Sequence, residues 1–368
     1  MRICYLANAA SIHTDRWVRY FAERGHEIHV ISFENARIER TTIHVLKLPV
    51  LVKNAVFPLK MASTHRIKSL LKRIKPDILH AHYVTNYGLF GALCNFKPFI
   101  ITAWGSDIFT VKTESPLIRW IKKFIKICVA RKADIITVDS KSLKKEIIKL
   151  GVPLEKIKLI SHGVSVNEFN PNKKSPEFRK ILGIPPHSSI ILSTRNLEPV
   201  YNVETLIQAI PHIIKFKPNV HFLIIGDGTQ KKNLQEIAKH LMTEKHVTFI
   251  GKVPHEKVAE FLANSDIYVS TALSDSTSVS LLEAMASQLP VIVTDLEGNK
   301  EWIKNKVNGF IIPRADPKTL AEKILQLLND KETARKFGSY NRKLAKQKAS
   351  YEEEMNKVED IYKRLTAK

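Results

Sequence analysis

The chain has 368 residues, 44% of them apolar and 26% charged, with 58 Lys and Arg against 36 Asp and Glu for a formal net charge of +22. This composition is globular and excludes wholesale disorder, and the length suits about two domains, each burying a core of its own. Three scattered cysteines, Cys4, Cys94 and Cys128, form no CxxC pair and no even framework, which excludes a disulfide scaffold or zinc ribbon and favours a reducing compartment.

Arg2 to Leu6 reads as a buried strand, 8–15 as a polar turn, and Trp17, Val18, Tyr20, Phe21 and Ala22 as the inner side of a helix that stops at Gly25. With 28–32 as a second strand this is a βαβ unit, which implies a parallel sheet with helices on its faces. Asp15 and Arg16 arrive before a signal-peptide core can build, and no window reaches the roughly 20 apolar residues of a membrane span, so a soluble, cytoplasmic protein is expected. A helix over 64–75 and strands at 77–82, 99–103, 134–138 and 157–161 continue the alternation. The Asn-, Pro- and Lys-rich stretch 163–177 marks a boundary. It separates an N-terminal domain, 1–165, from a second, 176–349, with a last helix at about 350–368 expected to pack back on the first. The second series has strands at 190–194, 220–225, 246–250, 267–270, 290–294 and 309–313, with helices at 203–215, 230–241, 255–264 and 279–287. Two doubly wound α/β domains follow, with ligands expected beyond the C-terminal strand ends, in the cleft between domains.

Residues 1–165 hold 28 Lys and Arg against 12 Asp and Glu, a net of +16. Such a field seeks an anionic partner or is simply a Lys-rich solvated surface. Residues 117–132 read as a basic amphipathic helix with Arg119, Lys122, Lys123 and Lys126 on one stripe. It either lies on anionic lipid or covers a sheet with a solvated back. Helix-turn-helix, zinc-finger and RNP signatures are absent, so no nucleic-acid partner is expected.

The densest polar constellation runs from Ser270 to Pro290. A strand ends, the loop Ser276, Thr277, Ser278, Val279, Ser280 turns, and a helix begins with free amides and a partial positive charge that suit a diphosphate. Asp275 precedes this helix, and Glu283, one turn inside, can accept from paired ribose hydroxyls. Alternatively, Ser280 and Glu283 form a capping box and Asp275 is a turn residue. Arg195, directly after strand 190–194, either neutralises a departing diphosphate or is a surface residue. Gly226 and Gly228 make a tight turn where backbone can approach a ligand. The lack of GxGxxG after either first strand counts against a dinucleotide-dependent dehydrogenase. In the front domain His80 and His82 share one face at a strand end. One is assigned to packing and the other to the cleft. After strand 99–103, Gly105 lets backbone pass close to a ligand and Asp107 is placed to orient a sugar hydroxyl.

Asp275-x7-Glu283-Ala-Met-Ala, followed by Leu289-Pro-Val-Ile-Val-Thr-Asp295 and Gly298-Asn-Lys-Glu301, resembles the E-x7-E signature of family 4 retaining glycosyltransferases. These have the GT-B fold, two Rossmann-like domains facing a cleft. Pro76-Asp-Ile-Leu-His-Ala-His82, Trp104-Gly-Ser-Asp107, His162-Gly-Val164, Phe169-Asn-Pro171, Arg195, Ile225-Gly-Asp-Gly228 and Phe249-Ile-Gly251 stand in the family's order. The resemblance implies that Glu283 holds the nucleotide ribose and that Asp275, shorter than the usual Glu, contacts the donor sugar. The amides of Ser276 to Ser280 bind the diphosphate, Arg195 neutralises it, and backbone at Lys252-Val253 holds the base. Val200-Tyr201-Asn202 stands where the family has a lysine, and Trp104 where it often has a histidine. The implied activity is retaining transfer of a sugar from a nucleotide-diphosphate sugar to a hydroxyl of a glycan or lipid-linked acceptor, in cell-surface polysaccharide or glycolipid synthesis. Asp275, Arg195, Asp107 and His82 are its candidate catalytic groups. No metal and no cofactor besides the donor is implied. The basic front half is the acceptor domain, which suggests peripheral contact with an anionic membrane. An epimerase acting on nucleotide sugars with the same fold is the first alternative, and a basic nucleic-acid-binding protein, suggested by the charge alone, the second.

Overall fold

The computed structural model describes residues 1–46, 57–105, 107–108 and 115–367, without the side chains of residues 57–62 and 116, so Ser106 of the Trp104–Asp107 motif lies outside the described residues. The chain divides into two compact units, Met1–Ile160 with Met355–Lys368, and Ser161–Glu354.

The first unit holds strands β1 (Arg2–Leu6), β2 (Glu27–Ser32), β3 (Thr41–Val45), β4 (Ile78–His82), β5 (Phe99–Ala103), β6 (Ile135–Val138) and β7 (Ile157–Leu159). They are all parallel, in the order β3-β2-β1-β4-β5-β6-β7. The second holds β8 (Ser189–Ser193), β9 (Val220–Ile225), β10 (Val247–Gly251), β11 (Ile267–Ser270), β12 (Val291–Thr294) and β13 (Phe310–Ile312), again parallel, in the order β10-β9-β8-β11-β12-β13. Both orders reverse direction once, beside β1 and β4 and beside β8 and β11. Doubly wound sheets place ligands at that switch point.

Helices α1 (Ile12–Glu23), α2 (Phe57–Ile74), α3 (Gly88–Cys94), α4 (Pro116–Lys132) and α5 (Lys141–Lys149) belong to the first unit. The second contains α6 (Phe178–Ile181), α7 (Glu204–Ile214), α8 (Lys231–His240), α9 (His255–Ala263), α10 (Val279–Ala286), α11 (Glu297–Lys300), α12 (Pro317–Asn329) and α13 (Lys331–Lys348). The last helix, α14 (Tyr351–Thr366), contributes its residues from Met355 onward to the first unit. Strands β4, β5, β9, β11 and β12 are buried along their whole length, as parallel strands covered on both faces must be. In the second unit Leu192, Tyr268, Leu282, Met285 and Val291 pack one side of the sheet, and Leu206, Ile210, Phe222, Ile224 and Ile324 the other.

Three local features differ from the sequence reading. β3 was not anticipated, because its Thr41-Thr-Ile-His-Val45 is a half-exposed edge strand with few apolar residues. A single π-helical turn, Tyr83–Tyr87, leads from β4 into α3. Lys126, placed on the basic stripe of α4, is instead buried and donates from Nζ to the Ile108 carbonyl at 3.0 Å.

His80 also lies inside, in a buried chain of polar groups. Tyr5 Oη meets Tyr362 Oη at 3.0 Å, Tyr362 Oη meets His80 Nδ1 at 2.5 Å, His80 Nε2 meets Thr102 Oγ1 at 2.7 Å, and Thr102 Oγ1 meets Thr137 Oγ1 at 2.7 Å. Burial pushes the imidazole pKa down to about 3 from 6.5, so the folded state holds it neutral. The neutral ring's contribution is therefore intact above the unfolded value and is lost as pH falls towards the folded one, by about 1.4 kcal/mol per pH unit. Urea unfolding between about pH 6 and 5 should accordingly show a shallower loss of stability in His80→Gln than in the wild type, by about that slope.

Candidate active site

β8 and β11 lie side by side at the switch point, and the chain leaving each supplies one half of the site. Arg195 follows β8 and is buried. Its Nη2 donates to Asp275 Oδ2 at 2.6 Å, and its Nη1 to Ser278 Oγ at 2.5 Å and Ser280 Oγ at 2.9 Å. The guanidinium lies over the Tyr201 ring at 4.2 Å, and Nε has no partner among the described residues. Burial alone would lower the Arg195 pKa. Asp275, then Tyr268 and Tyr201, outweigh it, and the group is held above its ordinary value with its charge intact.

The loop after β11 is tied down on three sides. Asp275 Oδ1 accepts from the Ser276 amide at 2.9 Å. Thr271 Oγ1 donates to the Asn202 carbonyl at 2.8 Å, and the Leu273 amide to the Val200 carbonyl at 2.8 Å. Thr294 Oγ1, at the end of β12, donates to the Ala272 carbonyl at 2.6 Å. Gly298, near the start of α11, faces the Ser276 carbonyl so closely that a Cβ there would lie 1.6 Å from its oxygen.

α10 begins with Ser278 as its N-cap, whose Oγ accepts from the Leu281 amide at 3.3 Å. This corrects the capping-box alternative: Ser280 lies inside the first turn, and Glu283 is too far into the helix to reach a cap amide. Glu283 is buried and its Oε1 lies 2.6 Å from His255 Nε2, at the start of α9. The His255 ring in turn leans on Phe169 at 5.3 Å. Ser276, Thr277 and Ser278 are buried, whereas Asp275, Val279 and Ser280 are half-buried around the helix N-terminus.

The Gly226 turn lies against the chain that leaves β8. A Cβ on Gly226 would lie 2.4 Å from the Arg195 carbonyl oxygen, and one on Gly228 2.4 Å from that of Leu197. The glycines thus admit the backbone that carries Arg195. Val253 follows β10 half-buried, its side chain packed on the second unit's core.

In the first unit Asp107 and His82 both lie inside. Asp107 is buried with Oδ2 accepting from the Val84 amide at 2.5 Å and Oδ1 from the Trp104 amide at 3.1 Å. Burial raises its pKa while those amides oppose the rise, and its oxygens tie together the chain after β4 and the chain after β5. His82 is buried too, its ring edge-on to Trp17 at 5.4 Å and Trp104 at 5.1 Å, with Nδ1 3.4 Å from Thr14 Oγ1. His80 and His82 are thus both buried in the first unit. The structure adds two groups that no spacing signalled, His255 on Glu283 and Tyr201 beneath Arg195.

Chemically, α10 offers an anion its free amides and dipole, Arg195 adds a planar cation fork already aimed at that helix end, and Glu283 adds a carboxylate acceptor about a turn away.

Residues 2–140 match the family model described as glycosyl transferase 4-like, and residues 174–344 the one described as glycosyl transferases group 1. The N-acetyl-alpha-D-glucosaminyl L-malate synthase of Bacillus anthracis is 27% identical over 354 residues, covering 94% of this chain and 91% of that protein. The Escherichia coli UDP-Gal:alpha-D-GlcNAc-diphosphoundecaprenol alpha-1,3-galactosyltransferase is 26% identical over 300 residues, 79% of this chain and 76% of that one. Anabaena HepE, solved in complex with UDP-glucose, shares the fold with a TM-score of 0.82 at 19% identity, over 99% of this chain and 100% of that chain. Both units have the parallel Rossmann-like sheets of the GT-B fold. Residues 174–344 are thus a glycosyl transferases group 1 domain and residues 2–140 a glycosyl transferase 4-like one, and the chain that joins them is a glycosyltransferase.

Proposed function

We propose that the chain transfers a sugar, with retention at C1, from a nucleoside diphosphate sugar to a hydroxyl of a glycan or lipid-linked acceptor. The observation that carries this reading is Arg195, buried at a strand end and aimed by its fork at the N-terminus of α10. The bond from C1 to the diphosphate oxygen breaks, the acceptor oxygen bonds C1 on the same face, and the acceptor proton passes to the departing phosphate oxygen. Negative charge grows on the diphosphate in that step. Arg195 and the amides from Ser276 to Ser280 meet it where it develops, a kind of electrostatic term worth about 3–4 kcal/mol per donor removed. When the diphosphate takes Arg195, Asp275 is freed to accept from a sugar hydroxyl. Glu283 accepts from the ribose, with His255 fixing its rotamer, and backbone at Lys252 and Val253 lines the base.

Uridine is the first base to test, because the Escherichia coli relative is named for a UDP-sugar and the Anabaena neighbour was solved with one. The acceptor class rests on the diphosphoundecaprenol in that relative's name and on the net charge of +16 over residues 1–165. Thermal unfolding should be followed with UDP-glucose, UDP-galactose, UDP-N-acetylglucosamine and GDP-mannose. At least one nucleotide should raise the midpoint, and Glu283→Ala and Arg195→Ala should each cut its affinity roughly ten- to a hundredfold. A nucleotide that stabilises wild type and both variants equally would remove the site from this end of α10.

A further inference from the structure

Helix α10 brings Glu283 to the site, and its far end is held by α13. The last four carbonyls of a helix depend on the chain beyond it for partners. In α10 the Glu283 carbonyl accepts from the Ser287 amide at 2.9 Å, that of Met285 from the Gln288 amide at 3.1 Å, and that of Ala284 from the Leu289 amide at 3.1 Å. The Ala286 carbonyl is left over, and Arg342 Nη1 donates to it from α13. The same nitrogen donates to the Phe169 carbonyl at 2.5 Å. Beside it Asn341 Nδ2 donates to the Leu289 carbonyl at 2.9 Å, and a Cβ on Gly338 would lie 2.1 Å from the Gln288 carbonyl oxygen. Helix α13 thus lies directly against the turn that ends α10.

Arg342 is half-buried and has no carboxylate partner among the described residues, and burial pulls its pKa below the ordinary value. Its charge is spent on two backbone carbonyls, and those carbonyls belong to the two supports of one contact. Ala286 stands three residues beyond Glu283 on the same helix. Phe169 is buried, and the His255 ring rests on its ring at 5.3 Å. His255 Nε2 and Glu283 Oε1 in turn lie 2.6 Å apart. A single nitrogen bound to both carbonyls therefore fixes the bed of His255 against the helix of Glu283, without touching either side chain. We propose that Arg342 is a positioning residue for the ribose-binding carboxylate, keeping Glu283 and His255 in register through Phe169 and Ala286. This role rests on the reading above in which Glu283 accepts from the ribose, and it leaves the diphosphate groups at the opposite end of α10 untouched.

Calorimetric titration with UDP, ADP and GDP, and with inorganic pyrophosphate as a ligand without ribose, separates the two ends of the helix. For the nucleoside diphosphate that the wild type binds most tightly, Arg342→Gln should weaken binding about three- to thirtyfold, with pyrophosphate within about twofold of wild type. Arg342→Lys should recover most of the loss, because both bonds come from one nitrogen and an ammonium can donate both. In the Glu283→Ala background, Arg342→Gln should weaken the nucleotide no further. Phe169→Leu keeps the core filled but removes the ring under His255. It should give the same split between nucleotide and pyrophosphate, and it takes the place of Arg342→Gln if that variant does not fold. Equal weakening of both ligands, or a lowered melting midpoint with unchanged nucleotide affinity, would overturn the inference, since a purely structural clamp does one or the other. So would an undiminished effect of Arg342→Gln in the Glu283→Ala background. Unchanged nucleotide affinity in Glu283→Ala alone is a separate result, which would take the ribose away from Glu283 and the role of Arg342 with it.

Discussion

Arg195→Ala should lower the turnover of sugar transfer by about a hundred- to a thousandfold while changing the donor's apparent affinity less. The reason is where the charge stands. The buried guanidinium is supported by Tyr201 below and by Asp275, Ser278 and Ser280 in front, so it needs no reorganisation when negative charge appears on the leaving diphosphate. In the free protein the fork is already occupied by Asp275. Ground-state binding therefore exchanges one anion for another, and the larger gain comes as the leaving group acquires its full charge. Arg195→Lys should fall between the two. It keeps a charge but cannot reach Asp275 and both serines at once, since an ammonium lacks the planar fork. Initial rates at saturating donor settle the matter, and turnover within about threefold of wild type in Arg195→Ala would assign the diphosphate to other groups.

Gly298→Ala should cost both stability and activity, although Gly298 contacts no proposed substrate. The added methyl would lie 1.6 Å from the Ser276 carbonyl oxygen and 2.5 Å from its carbon, both backbone atoms. Either α11 or the loop before α10 must therefore move. Overpacking of this kind costs about 1–3 kcal/mol. A displacement of about 1 Å in the loop that aims the α10 amides is enough to slow catalysis on the order of a hundredfold. Thermal unfolding and initial rates on the same preparation separate the two effects. A variant that keeps wild-type turnover would mean that α11 yields and the loop does not.

The architecture was legible because parallel strands covered on both faces must be apolar throughout, and Val220 to Ile225 or Val291 to Thr294 can hardly be read otherwise. The helix N-terminus at the site was also local information, carried by a polar loop between a strand and an apolar helix. The choice among its serines was not: Ser278, not Ser280, caps α10, because the helix begins at Val279, two residues before a cap at Ser280 would allow. Side-chain fates set by distant chain were out of reach. Glu283 meets His255 across 28 positions, Asp107 accepts from the Val84 amide that the π-helical turn after β4 brings to it, and Lys126 reaches the Ile108 carbonyl instead of the solvent. Each depends on how two loops approach, which no spacing within one segment encodes.

The buried chain through His80 bears on the order in which the protein is made. Tyr5, His80, Thr102 and Thr137 leave the ribosome before the second unit exists, and Tyr362, which closes their network, leaves after all of Ser161–Glu354. At about 5–20 residues per second, that interval is on the order of ten to forty seconds. During it the first-synthesised unit lacks its last helix and leaves His80 Nδ1 without its eventual partner. The unit that starts second is the one able to finish first, and the nascent N-terminal unit is the stretch most in need of protection until the final residues arrive.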